Sequence, residues 1–185
     1  MMIKLADGIY TIPNLLTPEE CQDYIALTER IGYEAAPITT GHGFVMRPDI
    51  RNNARVILDD MARAEALWQR VRPEVPHVLE GRQAIGLNER FRFYRYDPGE
   101  RFAPHTDGPY RRANGEESLL TFMVYLNEGF SGGETNFGEV WVTPETGLGL
   151  IFDHYLLHEG AAVIRGRKYV LRSDVMYGRV GQLHD

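Results

Sequence analysis

The sequence predicts a protein that is mainly β, with a sandwich or jelly-roll core and supporting helices. From residue 91 onward, short runs rich in β-branched and aromatic residues are separated by Gly, Pro, Asn and Asp. These runs are 91–96, 119–126, 140–142, 148–152 and 169–177. The first half instead carries two helix start signals. Such an order is typical of a β core that helices support from outside.

The length and composition favour one globular domain. The chain has 185 residues, of which 43% are hydrophobic and 25% charged. No repeat or linker divides it, so we expect a single domain over residues 1–185. Within it, helical support should occupy about 1–88 and the β core about 89–178.

Charge and cysteine usage limit the function classes. The net charge of -6 argues against nucleic acid as the main partner, because a phosphate backbone requires a positive surface. Cys21 is the only cysteine, which excludes an internal disulfide and a cysteine-ligated cluster within one chain. The N-terminus lacks a signal-peptide core, and no apolar run reaches the roughly 18 residues of a membrane span. We therefore expect a cytoplasmic protein with no membrane partner.

The first half contains a short strand and the first helix. Residues 9–12 are β-branched and aromatic and end at a proline, which predicts a strand. Thr17 and Glu20 form the pattern of a capping box, and Pro18 occupies the first helical position, where its missing N–H has no cost. A helix should therefore begin at Pro18.

A loop and a second helix follow. Residues 39–53 are rich in Gly, Asn and Pro without a regular period, so we expect a loop, and loops of this length often cover active sites. Asp59 or Asp60 can cap a second helix that runs to about residue 70.

A His-x-Asp pair is the first candidate metal motif. His105 and Asp107 lie two residues apart, so on an extended strand both side chains point to the same side. Two ligands can then reach one ion. This spacing alone is a weak signal, since six histidines and 26 acidic residues produce such pairs by chance.

A third ligand must come from elsewhere in the chain. The candidates are His158, His154, His42, His77 and His184. Only His158 has a convincing context, because it follows an apolar run and precedes the last predicted strand, where a jelly roll can bring it beside the first two ligands. We expect His154 to be a solvated turn residue. Two imidazoles and one carboxylate leave one face of an octahedral ion open, as in Fe(II) oxygenases, whereas zinc sites more often close tetrahedrally.

Three longer runs resemble the prolyl 4-hydroxylase-like branch of the 2-oxoglutarate/Fe(II)-dependent oxygenases. They are RFYRYDPGERFAPHTD, LLTFMVYLNEGFSGGETNF and LHEGAAVIRGRKYVLRSDVMY, and together they cover most of residues 90–178. The combination of a tyrosine-bearing strand, His-x-Asp, Gly-Gly-Glu-Thr and a lysine ten residues after a histidine is far more specific than any single motif.

The resemblance implies a double-stranded β-helix core and an enzyme that uses Fe(II), 2-oxoglutarate and O₂. It implies that His105, Asp107 and His158 hold the iron and act as the catalytic residues. By position, Lys168 resembles the basic residue that pairs with the distal carboxylate of 2-oxoglutarate, with Arg167 as the competing candidate. The products would be the hydroxylated substrate, succinate and CO₂.

The resemblance also suggests further cosubstrate contacts. Tyr96 resembles the family tyrosine whose hydroxyl touches the cosubstrate, and Thr121 and Tyr125 share a strand face that resembles the pocket wall. Core packing is an equal explanation for the last two. Arg172 lies on the same strand face as Lys168 and could hold a carboxylate of substrate or cosubstrate, or pair with Asp174.

The substrate stays open between two classes, a peptidyl residue such as proline and a free amino acid or other small molecule. Arg47, Arg51 and Arg55 near the predicted loop could receive an acidic group, although a solvated loop is the simpler explanation. Two other interpretations of the whole chain are a cofactor-binding sensor or assembly module without turnover, and a cupin-type metalloenzyme that does not need 2-oxoglutarate.

Overall fold

A computed structural model describes residues 1–179, which form two helices and eighteen strands. The helices are Pro18–Ile31 (α1) and Met61–Val71 (α2). The strands are Ile3–Ala6 (β1), Ile9–Ile12 (β2), Glu34–Ala35 (β3), Ile38–Thr40 (β4), Gly43–Val45 (β5), Ala54–Asp59 (β6), Val78–Leu79 (β7), Arg82–Leu87 (β8), Arg90–Tyr96 (β9), Phe102–His105 (β10), Glu117–Tyr125 (β11), Ser131–Gly132 (β12), Thr135–Asn136 (β13), Trp141–Val142 (β14), Gly149–Asp153 (β15), His158–Gly160 (β16), Val163–Arg165 (β17) and Lys168–Arg179 (β18).

Both helices begin where the sequence predicted. The Thr17 side chain accepts a hydrogen bond from the Glu20 backbone, and the Glu20 carboxylate accepts one from the Thr17 backbone. Asp60 caps α2 by accepting from the backbone N–H of Arg63. Each cap satisfies amide groups that the helix itself leaves unpaired. The expected loop 39–53 is partly wrong, because β4 and β5 pair there as a short hairpin.

Two sheets form the core. The larger has the strand order β1-β2-β15-β11-β18-β9-β6-β3, with β8 also pairing with β18 and β7 with β8. The smaller has the order β10-β16-β13-β14. One cavity is lined from both sheets, by Tyr96 and Lys168 of the larger and by His105 and His158 of the smaller. The predicted β architecture with a jelly-roll core is therefore confirmed.

The larger sheet buries both of its faces. On one face Phe91, Phe93 and Leu171 pack in the same apolar cluster as Leu67 and Trp68 of α2. On the other, Tyr94, Tyr96, Tyr125 and Val170 belong to a second cluster inside the roll, which also holds Phe152. Strand alternation assigns neighbouring residues to opposite faces, so the same strands anchor the helices and line the roll.

The first half contributes more than helices. Strands β1, β2, β6 and β8 all join the larger sheet, so the β core draws on residues well before 89. The single-domain organisation over 1–185 stays a prediction. Across residues 1–179, neither helix has the length and apolar character needed to cross a membrane.

Candidate active site

The pairing of β10 with β16 brings two histidines next to each other. His105 and His158 are direct partners in the antiparallel register, and their ring centroids lie 4.3 Å apart. Asp107 follows β10, and its backbone N–H donates to the carbonyl of His154 at 2.9 Å. The potential ligand atoms of His105, Asp107 and His158 all lie within 4.8 Å of one another.

Hydrogen bonds fix the same tautomer in both histidines. Nδ1 of His105 lies 2.8 Å from the carbonyl of Ala103, and Nδ1 of His158 lies 2.9 Å from that of Leu156. A carbonyl can only accept, so each Nδ1 carries the proton and each Nε2 keeps its lone pair. The Nε2 atoms lie 3.6 and 3.8 Å from the carboxylate oxygens of Asp107.

Burial keeps these imidazoles neutral. It lowers the pKa of His105 to about 4, and the neighbouring His158 adds to this effect. Burial also lowers the pKa of His158. Both rings are therefore uncharged near neutral pH and offer nitrogen lone pairs. Two nitrogens and one carboxylate on one side of a centre are the donor set of a non-haem Fe(II) site, so these residues fit that ion.

Arg172 stabilises the negative charge of Asp107. Burial alone would raise the pKa of this carboxyl, but the Arg172 guanidinium and the Thr121 hydroxyl hold it well below its usual range. Nη2 of Arg172 lies 3.3 Å from Asp107 and 3.4 Å from Asp174. The side chain thus contacts both the expected structural partner, Asp174, and the candidate metal ligand.

A chain of buried hydrogen bonds ends on the Oδ2 atom of Asp107. The Thr121 hydroxyl donates to Oδ2 of Asp107 at 2.6 Å and lies 2.8 Å from Nδ1 of His154. Nε2 of His154 lies 2.7 Å from the Ser118 hydroxyl, which accepts from the backbone N–H of Tyr110. The prediction that His154 is a solvated turn residue is wrong, since only 1% of it is exposed.

The chain has one consistent direction of donation. The single Thr121 proton goes to Asp107, because an ionised carboxylate only accepts. His154 must then donate from Nδ1 to Thr121 and accept at Nε2 from Ser118. Burial lowers the pKa of His154, which agrees with this neutral form. Three side chains, Thr121, His154 and Ser118, therefore orient one carboxylate oxygen.

Lys168 lines the cavity between the two sheets, the first of two cavities at the site. It is 2% exposed, and its Nζ donates to the carbonyl of Gly133 at 2.6 Å. Nζ lies 4.9 Å from the centroid of the Tyr96 ring and 5.6 Å from that of Tyr125. Burial lowers the pKa of Lys168 to about 7, against a smaller opposing effect of Glu134. Among residues 1–179, no carboxylate forms an ion pair with Lys168, so an ammonium here would gain a partner from a carboxylate ligand.

The structure separates Lys168 from its neighbour in the sequence. Arg167 lies on the outer side of the strand, half-exposed, and forms an ion pair with Asp97 at 2.5 Å. Gly133, beside the lysine, has a φ of +76°, and a Cβ there would lie 3.2 Å from Cδ of Lys168. The glycine therefore leaves room for the lysine side chain.

The other predicted cosubstrate contacts divide into two groups. Tyr96 and Arg172 line the first cavity together with Lys168 and the triad. Tyr125 is fully buried, and its hydroxyl bonds to Thr135 at 2.6 Å. Thr121 is also fully buried, with its hydroxyl engaged by Asp107 and His154. A cosubstrate role for these residues stays a prediction.

A second, larger cavity of about 470 Å³ shares Tyr94, Phe102, His105, Asp107 and Arg172 with the first. Arg51, Arg55 and Arg92 also line it. Sequence analysis missed the roles of Tyr94 and Arg92 here, because no local motif marks them. Of the remaining histidine candidates, His42 and His77 are exposed away from both cavities, and His184 lies outside the described residues.

Comparisons with known proteins agree with this geometry. Residues 91–173 match the model of the 2OG-Fe(II) oxygenase superfamily, and all three candidate ligands lie within that segment. This match and the triad support a 2-oxoglutarate-dependent dioxygenase that uses Fe(II), 2-oxoglutarate and O₂. They argue against the sensor and cupin-type interpretations.

The chain is also similar to prolyl 4-hydroxylases. It is 23% identical over 198 residues to prolyl 4-hydroxylase 1 of Arabidopsis thaliana, covering 91% of this chain and 68% of the relative. It is 25% identical to a probable prolyl 4-hydroxylase 3 of the same plant, covering 84% of this chain and 64% of the relative. The chain thus spans about two thirds of these relatives.

Two solved structures share the fold. A viral collagen prolyl hydroxylase from Paramecium Bursaria Chlorella virus-1, solved with 2-oxoglutarate, has a TM-score of 0.64 at 21% identity, with 95% of this chain and 99% of the other covered. A Trichoplax adhaerens prolyl hydroxylase, solved with a hypoxia-inducible-factor peptide fragment, has a TM-score of 0.69 at 16% identity, with 92% and 84% covered.

We expect Thr121→Val to destabilise the protein by about 1–3 kcal/mol. Valine keeps the shape but leaves the buried Nδ1–H of His154 without an acceptor and removes a donor from Asp107. Thr121→Ser retains the hydroxyl and should lose less. Urea unfolding of the metal-free proteins measures both. Equal stability of Thr121→Val and wild type would contradict the buried chain.

Proposed function

We propose that His105, Asp107 and His158 hold Fe(II), that Lys168 holds the distal carboxylate of 2-oxoglutarate, and that one domain hydroxylates a peptidyl residue or an amino-acid-like small molecule. One observation carries the proposal. Two neutral imidazole nitrogens and an ionised carboxylate converge in a cavity that a buried lysine also lines. These are the parts that a bidentate acid bound to iron requires.

The reaction balances without a further reductant. Substrate R–H, O₂ and 2-oxoglutarate give R–OH, succinate and CO₂, with one oxygen atom entering the substrate and the other entering succinate. Fe(II) with its cosubstrates supplies the oxidising chemistry when bound. The protein positions the reactants and excludes water, and the buried aromatic lining serves the second purpose.

The protein's own residues divide the positioning work. His105 is held by its Nδ1 hydrogen bond and by stacking on Phe102, with ring centroids 3.5 Å apart. His158 is likewise held by its Nδ1 hydrogen bond and by an edge contact with the Phe152 ring. Thr121 and Arg172 both hold the Oδ2 atom of Asp107, the first by a hydrogen bond and the second by an ion pair. Such support around ligands sets both their orientation and their affinity for metal.

Lys168 and Tyr96 are suited to the cosubstrate. They are cross-strand partners on β18 and β9, and both line the cavity that reaches the triad. A carboxylate within reach of Nζ would relieve the cost of burying the ammonium. Tyr96 lies close enough for its hydroxyl to share that role. Its burial raises its pKa to about 12, so it stays a hydrogen-bond donor.

Peptidyl and small substrates both have support. The similar proteins are named prolyl 4-hydroxylases, and one solved relative holds a peptide fragment. Those names favour a peptidyl proline as the target. The arginines around the second cavity instead favour a substrate that carries a negative charge.

The proposal is tested by anaerobic addition of Fe(II) and 2-oxoglutarate to the metal-free protein. We expect a visible metal-to-ligand charge-transfer band in the wild type. His105→Ala, His158→Ala and Asp107→Ala should each lose it, because each removes a proposed ligand. His77→Ala removes an exposed histidine and should keep the band. A wild type with no band, or triad variants that retain it, would overturn the proposed iron site.

For Lys168 we expect cosubstrate binding to take up a proton at about pH 8. The pKa of about 7 leaves most of the free lysine neutral there, and a bound carboxylate raises the pKa so that the ammonium forms. Calorimetric titration of 2-oxoglutarate in buffers of different ionisation enthalpy measures this uptake. The proton uptake should vanish in Lys168→Met, and the affinity for 2-oxoglutarate should fall at least about tenfold.

Arg167→Gln is the matched control for this experiment. It removes the adjacent cation on the outer side of the strand, so both the proton uptake and the affinity should stay as in the wild type. If instead Arg167→Gln loses them and Lys168→Met does not, the cosubstrate carboxylate lies on the other face of β18.

A further inference from the structure

Four arginines surround the second cavity, the one of about 470 Å³ that adjoins the triad. Arg55 is the cross-strand partner of Tyr94, and Arg92 that of Arg172, so strands β6, β9 and β18 present them on one sheet face. Arg51 reaches the same cavity from the segment before β6. Four guanidinium groups in one small cavity repel one another unless anions balance them.

The described residues provide too few anions for this cluster. Arg92 and Arg172 both pair with Asp174, each at 3.4 Å. Arg172 also approaches Asp107, whose charge the proposed iron would use. These two carboxylates therefore account for Arg92 and Arg172.

Arg51 and Arg55 have no such partner. Among residues 1–179, no carboxylate oxygen lies within the 4.0 Å of an ion pair from either guanidinium. Glu34 is the cross-strand neighbour of Arg55, but it is exposed at the sheet edge and forms no ion pair with it. Burial lowers the pKa of Arg55, and the charges of Arg51 and Arg92 contribute to this.

Arg51 is the most unusual member of the cluster. Only 5% of it is exposed, and its guanidinium carbon lies 4.2 and 4.3 Å from the ring centroids of Tyr94 and Phe102. Nε donates to Asn53 at 2.7 Å, whereas Nη2 is buried without a hydrogen-bond partner. A buried guanidinium nitrogen without an acceptor is costly. A ligand oxygen at this position would remove that cost.

The pKa of Tyr94 indicates that the electrostatic potential in the cavity is positive. Burial would raise its pKa, but Arg51, Arg172 and Arg92 together outweigh burial and lower the pKa to about 8. The cavity therefore favours negative charge strongly enough to act on a buried phenol. An anionic ligand group gains from the same potential without a proton transfer.

We propose that Arg51 and Arg55 bind an oxyanion of the substrate, a carboxylate in an amino-acid-like small molecule or a phosphate, and thereby hold the carbon to be hydroxylated beside the triad. This inference rests on the proposed function. The planar guanidinium matches both anions through paired N–H donors. The cavity volume is that of a small-molecule site. The cosubstrate carboxylate has its own cation, Lys168, in the first cavity.

The test compares matched acids and neutral analogues on the anaerobic Fe(II)/2-oxoglutarate complex by calorimetry. The probes are the twenty L-amino acids against their amides, phosphoserine against serine, and a capped neutral prolyl peptide. We expect at least one charged probe to bind at least about tenfold more tightly than its neutral partner. The first comparison identifies carboxylate recognition and the second phosphate recognition.

Variants then assign the preference to the two arginines. Arg51→Gln and Arg55→Gln should each reduce the ratio between the charged and neutral probes to less than about threefold, and leave the affinity for 2-oxoglutarate unchanged. Arg47→Gln is the matched control, because Arg47 is exposed and paired with Asp49 in the same segment. If burial makes Arg51→Gln fold poorly, the half-buried Arg55 carries the test.

Three results would overturn the inference. Charged and neutral probes that bind equally, or not at all, exclude oxyanion recognition by this cavity. Tight binding of the capped neutral peptide, unchanged in both variants, assigns the cavity to a peptide backbone. Weaker 2-oxoglutarate binding in both variants assigns the arginines to the cosubstrate. Failure of the proposed function differs from all three, because the charge-transfer band would then be absent before any probe is added.

Discussion

The antiparallel pairing of β10 with β16 is the interaction on which the site depends. It places His105 directly opposite His158, and the backbone carbonyls of their own strands fix both rings in one tautomer. Both strands are short, so their pairing would be only marginally stable in isolation. It depends on the rest of the smaller sheet and on packing against the larger one. The fold therefore creates the metal geometry through main-chain register, and the side chains need few other constraints.

Asp107 needs more support than the histidines, because a carboxylate is costly to bury. Two different devices provide it. Arg172 supplies a positive charge, and the Thr121–His154–Ser118 chain supplies an oriented hydrogen-bond donor, both at the Oδ2 atom. The chain is uncharged throughout, so it can orient the carboxylate without competing with a cation bound in front of it.

Charge also divides the interior into two parts that meet at the triad. The first cavity is lined by Lys168, and the second by Arg51, Arg55 and Arg92. A dicarboxylic cosubstrate and an anionic substrate can then approach one centre from separate cavities. With the proposed roles of Lys168 and the arginines, each anion would have a cation of its own, and repulsion between the two anions would favour this separation.

Sequence predicted the parts that short-range chemistry decides. The helix starts at Thr17 and Asp60 depend on residues three positions away, and strand alternation correctly assigned Lys168 and Arg172 to one face. The metal motif emerged because two candidate ligands are neighbours and the third has a distinctive context. The β-rich second half of the sequence predicted the fold, and the structure confirms it.

The rest depended on contacts that are distant in the sequence. His154 is buried because Ser118 and Thr121, 36 and 33 residues away, receive its ring nitrogens. Arg51 is buried because Tyr94 and Phe102 stack on it, and no pattern near residue 51 indicates either ring. The strands β6 and β8 join the sheet at positions that only the partner strands define. Local sequence patterns predict individual helices and strands. Contacts and strand pairings between distant residues become visible only in the folded chain.

A crystal structure of the protein with Mn(II) and 2-oxoglutarate, grown without oxygen, tests the central claim most directly. Anomalous scattering locates the metal independently of the refined side chains. We predict one metal peak bounded by Nε2 of His105, Nε2 of His158 and the Asp107 carboxylate, with the distal cosubstrate carboxylate at Nζ of Lys168. A metal peak elsewhere, or a cosubstrate carboxylate bound between Arg51 and Arg55, would contradict the account.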